Sequence, residues 1–406
     1  MSSTSKTKWR DVPADVFCDS VRDGTHDSPK LLDSGYPLIT SKSLKMGQVN
    51  LETANLISEA DFKEINRRSK VDQWDVLFSM IGTVGEVSLV KEEEPGYAIK
   101  NIGLFKCGDE LKAKWLYYWF TNPLTKSSIK QVHRGSSQQY IPLGELRQLP
   151  ISVPYEPRIM RSVVDILSTY DDLIENNRRR MALLEEAARQ VYQEWFVRLR
   201  FPGREHTRIV DGMPEGWEKC LISNLGYVVT GKTPSTKEED NFGGEIQFIK
   251  TPDMHGNVFV IRTETCLTEK GATRQLGKFL PAGTLLISCI GTVGVVSLTC
   301  ERCQFNQQIN AVIPSEEILR YYCYFALKDL KPRLDAIGGG VTMANVSKGK
   351  FENLDIMRPT SKLLRNFDDI CRPIFNQILT LSFQNQKLRA ARDLLLPRLM
   401  NGEISV

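Results

Sequence analysis

A hairpin-like stretch, Ile81-Gly82-Thr83-Val84-Gly85-Glu86-Val87-Ser88-Leu89, returns almost unchanged as Ile290-Gly291-Thr292-Val293-Gly294-Val295-Val296-Ser297-Leu298. The two glycine-rich turns are 209 positions apart in a chain of 406 residues, and Trp217 follows Trp9 by 208 positions. Displacements of about half the chain exclude a solenoid, whose period is roughly 20–50 residues. The sequence therefore predicts two copies of one structural unit.

The composition is that of a globular protein, with 41% hydrophobic and 25% charged residues, and the length suits two or three hydrophobic cores. No apolar run approaches the roughly 20 residues of a membrane span, and the polar N-terminus lacks the apolar segment of a signal peptide. We therefore expect a cytoplasmic protein without a membrane partner. Because the net charge is only +4, a DNA ligand would require locally concentrated basic groups or a partner that contacts phosphates.

Four segments alternate along the chain and indicate an α+β protein. Residues 1–155 and 204–360 mix short β-branched and aromatic runs with Gly, Pro and Asp, as strands and turns require. Residues 156–203 and 361–406 are helical in pattern. The clearest strands are expected at residues 36–40, 74–81, 246–249, 283–290 and 303–313, and helices within the mixed segments at residues 111–120 and 318–330.

Both helical segments carry apolar residues at alternating spacings of three and four, which is typical of a coiled-coil seam. The seam is expected to contain Ile166, Tyr170, Leu173 and Asn177 in the first helix and Ile374, Ile378, Leu381 and Asn385 in the second. Asparagine at the same position of both seams fixes register. The simplest packing is an antiparallel coiled coil of the two helices with a pseudo-twofold relation between the copies. The alternative is that each helix packs only on its own domain.

Two prolines are expected to limit the second helix. Pro373 should kink it or restart it, because a proline inside a helix costs about 3 kcal/mol. The helical pattern should end at Leu396-Pro397.

Two short motifs suggest chemistry that their surroundings do not support. Residues 226–233 match the phosphate-loop pattern G-x-x-x-x-G-K-[ST], but a polar, proline-containing stretch follows instead of a buried helix. We interpret the stretch as a loop, with Asp23-Gly24-Thr25-His26 in roughly the corresponding place of the first copy. Cys300-x-x-Cys303 would need two further zinc ligands, so no metal is expected. The sequence also lacks a [DN]-P-P-[FY] loop for amino methylation, a G-x-S-x-G elbow and an H-E-x-x-H motif.

Polar loops near the predicted strand ends have side chains that suit DNA. Arg and Lys match guanine edges, Asn and Gln match adenine edges, and Ser, Thr and backbone amides match phosphates. A solvated loop without a ligand is the alternative for each of them. The candidate DNA-binding residues are Ser41, Lys42, Arg134, Ser137, Gln138, Gln139, Lys250, Asp253, Gln307, Gln308, Thr342, Asn345 and Lys348.

Several stretches in combination carry a family resemblance over the whole chain. They are Asp171-Asp172-Leu173-Ile174-Glu175-Asn176-Asn177-Arg178-Arg179-Arg180, Glu194-Trp195-Phe196-Val197, Pro214-Glu215-Gly216-Trp217, the two I-G-T-V-G turns, and Arg392-Asp393-Leu394-Leu395-Leu396-Pro397-Arg398-Leu399-Met400-Asn401-Gly402-Glu403-Ile404. The chain resembles the specificity subunit of type I restriction-modification systems.

The resemblance implies two target-recognition domains, at residues 1–155 and 204–360, each reading half of a split double-stranded DNA target. Helical spacers at residues 156–203 and 361–406 would hold the domains apart and carry two methyltransferase subunits, which bring S-adenosylmethionine and methylate adenine. A restriction and motor subunit would join for cleavage, with ATP and Mg²⁺. This chain would then bind no cofactor and do no chemistry itself.

Two functions from other classes remain as alternatives. One is a self-contained DNA methyltransferase or nuclease, and the other is a structural scaffold that binds only protein. Sequence-selective binding without catalysis by the chain alone would distinguish the recognition subunit from both.

Overall fold

The computed structural model describes residues 9–45, 47–132, 140–339 and 344–406. The chain divides into two compact units, one formed by Met1–Leu173 with Leu388–Val406 and the other by Ile174–Lys387. Each unit contains one mixed domain and part of both long helices. Among the described helices, none combines the length and the apolar content that crossing a bilayer requires.

The first unit is built on an antiparallel sheet in the order β2-β10-β7-β8 and a small sheet in the order β6-β3-β9, in which β3 and β9 are parallel. Its strands are β1 (Trp9–Pro13), β2 (Ser20–Asp23), β3 (Tyr36–Ile39), β4 (Leu44–Lys45), β5 (Gln48–Val49), β6 (Asn55–Ile57), β7 (Asp75–Ser79), β8 (Val87–Leu89), β9 (Ala98–Ile99), β10 (Ile102–Lys106) and β11 (Pro150–Pro154). Its helices are α1 (Ala14–Phe17), α2 (Glu59–Ser69), α3 (Glu110–Thr121), α4 (Pro123–Val132), α5 (Leu143–Arg147) and the first part of α6 (Pro157–Tyr192).

The second unit repeats this plan, with the sheets β15-β22-β19-β20-β17 and β18-β16-β21, in which β16 and β21 are parallel. Its strands are β12 (Ile209–Val210), β13 (Met213–Pro214), β14 (Glu218–Leu221), β15 (Gly226–Thr230), β16 (Phe242–Ile249), β17 (Phe259–Val260), β18 (Cys266–Leu267), β19 (Leu285–Ser288), β20 (Val296–Thr299), β21 (Gln304–Phe305), β22 (Ile309–Pro314) and β23 (Asp355–Arg358). Its helices are α7 (Ile222–Leu225), α8 (Thr251–Met254), α9 (Glu269–Thr273), α10 (Arg320–Asp329), α11 (Lys331–Ile337), α12 (Lys348–Glu352) and most of α13 (Ser361–Met400).

The repeated hairpins have the same hydrogen bonds in both units. The Ser79 amide donates to Glu86 at 2.9 Å, and the Ser288 amide donates to Val295 at 2.9 Å. The Ser79 hydroxyl accepts the Glu86 amide at 2.8 Å, and the Ser288 hydroxyl accepts the Val295 amide at 2.9 Å. The turn glycines with positive φ are Gly82, Gly85, Gly291 and Gly294. The duplication inferred from the sequence is therefore confirmed at the level of single hydrogen bonds.

The expected strand at residues 303–313 is two strands, β21 and β22, separated by a turn at Asn306-Gln307-Gln308. The Asn306 side chain closes this turn by accepting a hydrogen bond from the Gln308 amide at 3.1 Å. An asparagine side chain that bonds its own backbone two residues on competes with continued strand pairing. The other strands and helices expected within the mixed segments are present.

The second long helix differs from expectation at both prolines, because α13 runs through Pro373 and Pro397 without interruption. Cys371 and Phe375, on either side of Pro373, are fully buried, and their burial outweighs the lost backbone hydrogen bond. The helix then ends one turn after Pro397, where Gly402 has a φ of +72°. The first long helix ends at Tyr192 and continues as a π-helical turn at Gln193–Val197.

Both long helices join the hydrophobic core of each unit. In the first unit, Val163 and Leu167 of α6 lie in one cluster with Leu396 and Leu399 of α13 and the large side chains of α3. In the second unit, the cluster contains Ala188 and Tyr192 of α6, Phe367 and Phe375 of α13, and Tyr322 and Phe325 of α10. Contacts between the helices give their direction. Asp171 of α6 contacts Arg392 of α13 in the first unit, and Asn177 contacts Asn385 and Met181 contacts Ser382 in the second. Residue numbers rise along α6 as they fall along α13, so the predicted antiparallel pairing is confirmed.

Candidate DNA interface and paired helices

In the second unit, three loops meet where the parallel strands β16 and β21 end. The Asn306 amide donates to the carbonyl of Ile249, the last residue of β16, at 3.0 Å. The Lys232 amide donates to the carbonyl of Phe305, the last residue of β21, at 3.0 Å. We call residues 231–233, 250–253 and 306–308 together the second strand-end cluster.

Gly231 explains the sequence that resembles a phosphate loop. A Cβ atom at this position would lie 2.0 Å from the carbonyl oxygen of Asn306, so only glycine allows the two backbones to approach so closely. Lys232 and Thr233 follow as a loop, and the Thr233 hydroxyl donates to the side-chain carbonyl of Gln307. The glycine is therefore required by backbone packing.

The first unit contains the same arrangement with different side chains. The Thr25 amide donates to the Ile99 carbonyl at 3.0 Å, and the Lys100 amide donates to the Ile39 carbonyl at 2.9 Å. A Cβ atom on Gly24 would lie 2.3 Å from the Ile99 carbonyl oxygen. We call residues 24–28, 40–43 and 100–101 together the first strand-end cluster. Both backbone hydrogen bonds and the close approach at the glycine have counterparts in the second strand-end cluster.

The first strand-end cluster contains a polar network around His26, whose side chain is 50% exposed. Its Nδ1 lies 2.8 Å from Asn101 Oδ1, and its Nε2 lies 2.9 Å from Asp23 Oδ2. Arg68 pairs with the other oxygen of the buried Asp23 carboxylate. The network thus holds the exposed His26 and the half-buried Asn101 in place through a buried charge.

Several predicted DNA-binding residues lie in these two clusters. Ser41 and Lys42 form a short 3₁₀ turn after β3, and Lys42 is exposed. Gln307 is exposed and Gln308 is half-buried, in the turn after β21. The Lys250 ammonium donates to Thr265 Oγ1 at 2.7 Å.

Asp253 also lies in the second cluster, where both of its carboxylate oxygens accept backbone amides, from Lys250 at 2.8 Å and from Glu264 at 3.1 Å. Its role in this structure is therefore to cap the chain after β16.

The remaining predicted residues lie elsewhere or outside the described part of the chain. Asn345 is exposed and pairs with Ile290 beside the second hairpin, and the exposed Lys348 lies 3.5 Å from Glu352 in α12. Those outside the described residues are Arg134, Ser137, Gln138, Gln139 and Thr342.

Sequence reasoning missed His26, Asn101 and Thr233 as candidate site residues. The signal that could have found them was the pairing of Gly24 with Gly231, which the sequence comparison noted only roughly. Aligning the copies at these glycines brings His26 and Thr233 to equivalent positions.

Two asparagines meet between the long helices in the second unit. The Asn177 side-chain amide donates to Asn385 Oδ1 at 2.9 Å, and the Asn385 amide donates to the carbonyl of Ile174 at 3.2 Å. Only 6% of Asn177 and 1% of Asn385 are exposed. Because an unpaired buried amide costs about 1–3 kcal/mol, this pair favours one register of the helices.

The other predicted seam residues differ in burial. Ile378 and Leu381 are buried, and the half-buried ones are Ile166, Tyr170 and Ile374. Leu173 is 45% exposed, and the next residue, Ile174, is buried in its place. The buried seam of α6 therefore runs through Val163, Leu167, Ile174 and Asn177, which still follow the heptad spacing.

Each unit anchors α6 through a tyrosine and a carboxylate. In the first unit, the Tyr118 hydroxyl donates to Asp171 at 2.8 Å, and Arg392 of α13 pairs with the same carboxylate at 2.5 Å. Burial alone would lower the pKa of Arg392, but the Asp171 charge outweighs it and raises the pKa. In the second unit, the Tyr324 hydroxyl donates to Glu185 at 2.8 Å.

Both cysteines of the C-x-x-C motif are at least partly buried. Burial raises the pKa of the Cys300 thiol to about 11 and that of Cys303 to about 12, whereas metals bind the thiolate. The Cys300 thiol donates to the Val260 carbonyl at 3.0 Å. Within the described ranges, no group of three or more His, Cys, Asp or Glu side chains could hold a metal ion.

Duplicated mixed domains with equivalent loop clusters, each packed on part of two antiparallel helices, define a protein built from two similar modules. Comparison with known proteins makes this class specific. The chain belongs to the family described as type I restriction modification DNA specificity domain, whose model matches residues 21–186 and 214–363. The resemblance inferred from the sequence is thereby confirmed.

Curated relatives and one solved structure agree with this family. The chain is 29% identical over 333 residues to the type I restriction enzyme HindI specificity subunit of Haemophilus influenzae, which covers 67% of this chain and 72% of the relative. It is 23% identical over 308 residues to the MjaIX specificity subunit of Methanocaldococcus jannaschii, covering 73% and 70%. The type I restriction-modification S subunit of M. genitalium has a similar fold, with a TM-score of 0.55, 15% identity and 98% coverage of both chains.

Proposed function

We propose that this chain is the DNA sequence-recognition subunit of a type I restriction-modification enzyme and binds a DNA target that is split into two parts. The observation that carries the proposal is the pair of strand-end clusters. They share their backbone hydrogen bonds, but His26 and Asn101 in one stand where Thr233 and Gln307 stand in the other. Two modules of one architecture with different polar side chains suit two different half-sites.

The chemistry of the clusters supports DNA as the ligand. Exposed amide, hydroxyl and imidazole groups can form directional hydrogen bonds with base edges, and the exposed Lys42 and Lys232 can contact phosphates. With a net charge of only +4, the chain alone provides few phosphate contacts. Methyltransferase partners that also touch the backbone would supply the rest of the affinity.

The division of labour follows from the family. We assign recognition to this chain and methyl transfer to two methyltransferase subunits, which would bring S-adenosylmethionine. Cleavage and translocation belong to the restriction subunits, with ATP and Mg²⁺. The relatives are named as specificity subunits of restriction enzymes, and this supports the assignment. The complex would act in the cytoplasm, where it meets DNA.

Selection from random DNA duplexes tests the proposal. The chain is purified together with the methyltransferase subunit of its own restriction system, and bound duplexes are sequenced. We expect two short specific sequences separated by a gap of constant length and free sequence. Selection of one uninterrupted sequence, or of none, would contradict the proposal, and the latter would favour a scaffold that binds only protein.

The chain alone, incubated with DNA and either Mg²⁺ or S-adenosylmethionine, tests the rival enzymatic function. We expect neither strand breaks nor methyl transfer, while methyl transfer begins when the methyltransferase subunit is added. Turnover by the chain alone that grows with its concentration would support a self-contained enzyme.

A further inference from the structure

We propose that Asn101 and Gln307 each read an adenine edge, Asn101 in one half-site and Gln307 in the other. This inference rests on the proposed function and adds to it the residues and the base that they recognise. Both residues lie in the turn that follows the second of two parallel strands, β9 in the first unit and β21 in the second.

The positions of the two amides are equivalent although the turns differ in length. In the first unit the turn from Ile99 to Ile102 contains two residues, and in the second unit the turn from Phe305 to Ile309 contains three. In both units, the amide of the glycine after the neighbouring strand donates to the carbonyl of the residue that follows the turn. The distance is 2.9 Å from Gly24 to Ile102 and 3.2 Å from Gly231 to Ile309. The backbone therefore places Asn101 and the exposed Gln307 at the same edge of each unit.

A neighbouring side chain orients each amide. Asn101 Oδ1 faces His26 Nδ1 at 2.8 Å, and Gln307 Oε1 accepts the Thr233 hydroxyl. Within the described parts of the chain, neither amide nitrogen has a hydrogen-bond partner. Gln307 thus keeps two free N–H donors and a second lone pair on its oxygen. Asn101 keeps at least one free N–H donor and one free lone pair whichever ring nitrogen of His26 carries the proton, and both side chains are oriented before any ligand binds.

This set of groups complements adenine in the major groove. Adenine presents the N7 acceptor beside the N6 amino donor, and a carboxamide can satisfy both at once. Guanine presents two acceptors, and cytosine presents a single amino donor, so neither makes the same pair of bonds. The exposed position of Gln307 and the half-exposed position of Asn101 leave room for a base edge.

The amide-to-acid variants N101D and Q307E test the assignment because they replace the NH2 donor with an anionic acceptor of nearly the same shape. Each carboxylate can still accept from His26 or Thr233, and aspartate tolerates the left-handed conformation of residue 101, whose φ is +54°. A carboxylate cannot donate to adenine N7, but it can accept from cytosine N4. We expect discrimination for one base pair to fall about tenfold to a hundredfold and to shift from adenine towards cytosine.

Random-duplex selection with the complete complex is the measurement. Because the DNA target has two half-sites, the effect of each variant can be assigned to one of them. N101D should change one position of one half-site, and Q307E should change one position of the other half-site. The unchanged half-site in each experiment shows that the complex is folded and bound. The exposed residues Asn55 and Gln377 provide matched controls, N55D and Q377E, which should leave both half-sites unchanged.

Three results would overturn the assignment. Variants that leave both half-sites unchanged would show that the amides do not read bases. Variants that weaken binding to every sequence equally, with no change in base preference, would also show that the amides do not read bases, because the added negative charge repels phosphates at any sequence. If the wild-type complex selects no target in two parts, the proposed function and the assignment are both overturned. If the wild-type complex selects such a target and the variants select the same one, only the assignment is overturned.

Discussion

The buried amides of Asn177 and Asn385 are a polar pair between helices whose other contacts are largely apolar. Each amide depends on the other, because Asn385 Oδ1 accepts from Asn177 at 2.9 Å. A polar pair of this kind contributes little net stability, but it penalises every register in which one amide is left alone. Its importance therefore lies in the choice of register.

A double-mutant cycle measures this dependence. N177L should lower the free energy of unfolding by about 1–3 kcal/mol, because Asn385 Oδ1 stays buried without a donor. N177L/N385L should recover most of the loss, because two leucines pack without polar groups. Urea unfolding of the four proteins gives the coupling energy. Additive losses would contradict the pairing, and L183A at an exposed position of the same helix should change stability by less than about 0.5 kcal/mol.

Asp75 makes the stability of the first unit depend on pH. Its carboxyl group is buried, and burial raises its pKa to about 6 although Lys106 lies 2.8 Å away and opposes the shift. The folded pKa lies above the unfolded value near 3.9. The contribution of Asp75 to stability is therefore complete below about pH 4 and is lost as the pH rises through 6.

D75N removes this dependence, since an amide does not titrate. The difference in unfolding free energy between wild type and D75N should change by on the order of 2 kcal/mol between pH 4 and pH 7, in favour of the variant at the higher pH. Urea unfolding at several pH values measures it. Parallel curves for the two proteins would show that the carboxyl group has an ordinary pKa.

At the scale of elements, α6 is held to each mixed domain by a tyrosine hydroxyl. Tyr118 of α3 reaches Asp171, and Tyr324 of α10 reaches Glu185, in separate units. The two carboxylates lie 14 positions apart on one helix. Position and orientation of each domain on α6 are thus fixed by a charge-assisted bond as well as by apolar packing.

The variants Y118F and Y324F remove the hydroxyl and keep the ring. Each should lower the free energy of unfolding by about 1.5–3 kcal/mol, the usual range for a hydrogen bond to a charged group. Thermal unfolding followed by circular dichroism measures the loss. Y227F is the control, because Tyr227 is 69% exposed. An equal loss of stability in Y227F would show that replacing any tyrosine with phenylalanine has this effect and that the hydrogen bond to the carboxylate is not its cause.

At the scale of the whole molecule, the long helices pass from one compact unit into the other, α6 between Leu173 and Ile174 and α13 between Lys387 and Leu388. If they set the distance between half-sites, their length should set the gap in the DNA target. An insertion near the end of α6, for example between Arg189 and Gln190, is not suitable. It would lie beside Ala188 and Tyr192, which are packed in the hydrophobic core of the second unit. Residues that lengthen the helices must therefore be inserted nearer to the points at which α6 and α13 pass from one unit into the other.

We expect a matched pair of seven-residue insertions, after Arg179 in α6 and after Phe383 in α13, to lengthen the preferred gap. Seven residues preserve the heptad seam and add about 10.5 Å, or roughly 3 base pairs. Both half-site sequences should stay the same in random-duplex selection. An insertion in α6 alone should destabilise the protein. It moves Asn177 and Met181 apart while their partners Asn385 and Ser382 keep their spacing on α13, so both contacts cannot form at once. Altered half-sites in the matched variant would mean that the helices read bases.

The sequence by itself determined the features that repeat along the chain. The duplication of the hairpins, the two long helices and the matching positions of Asn177 and Asn385 are all visible, because periodicity and internal repetition are linear properties. The antiparallel pairing of the helices was only the simplest of two packings that the sequence allowed. It also indicated that the turn at residues 306–308 is polar. It did not indicate that α13 continues through Pro373, since that depends on the packing of Cys371 and Phe375 against α10, which is far away in sequence.

Only the tertiary structure decided which loops form a site. His26 and Asn101 are 75 positions apart and Thr233 and Gln307 are 74 apart, and parallel strand pairing together with a close approach at Gly24 and Gly231 brings them into contact. No local pattern marks such a contact, because parallel strands are joined by long connections whose end points depend on the whole sheet. The same physical reason explains why Asp253 suits DNA by its residue type and yet caps a strand end.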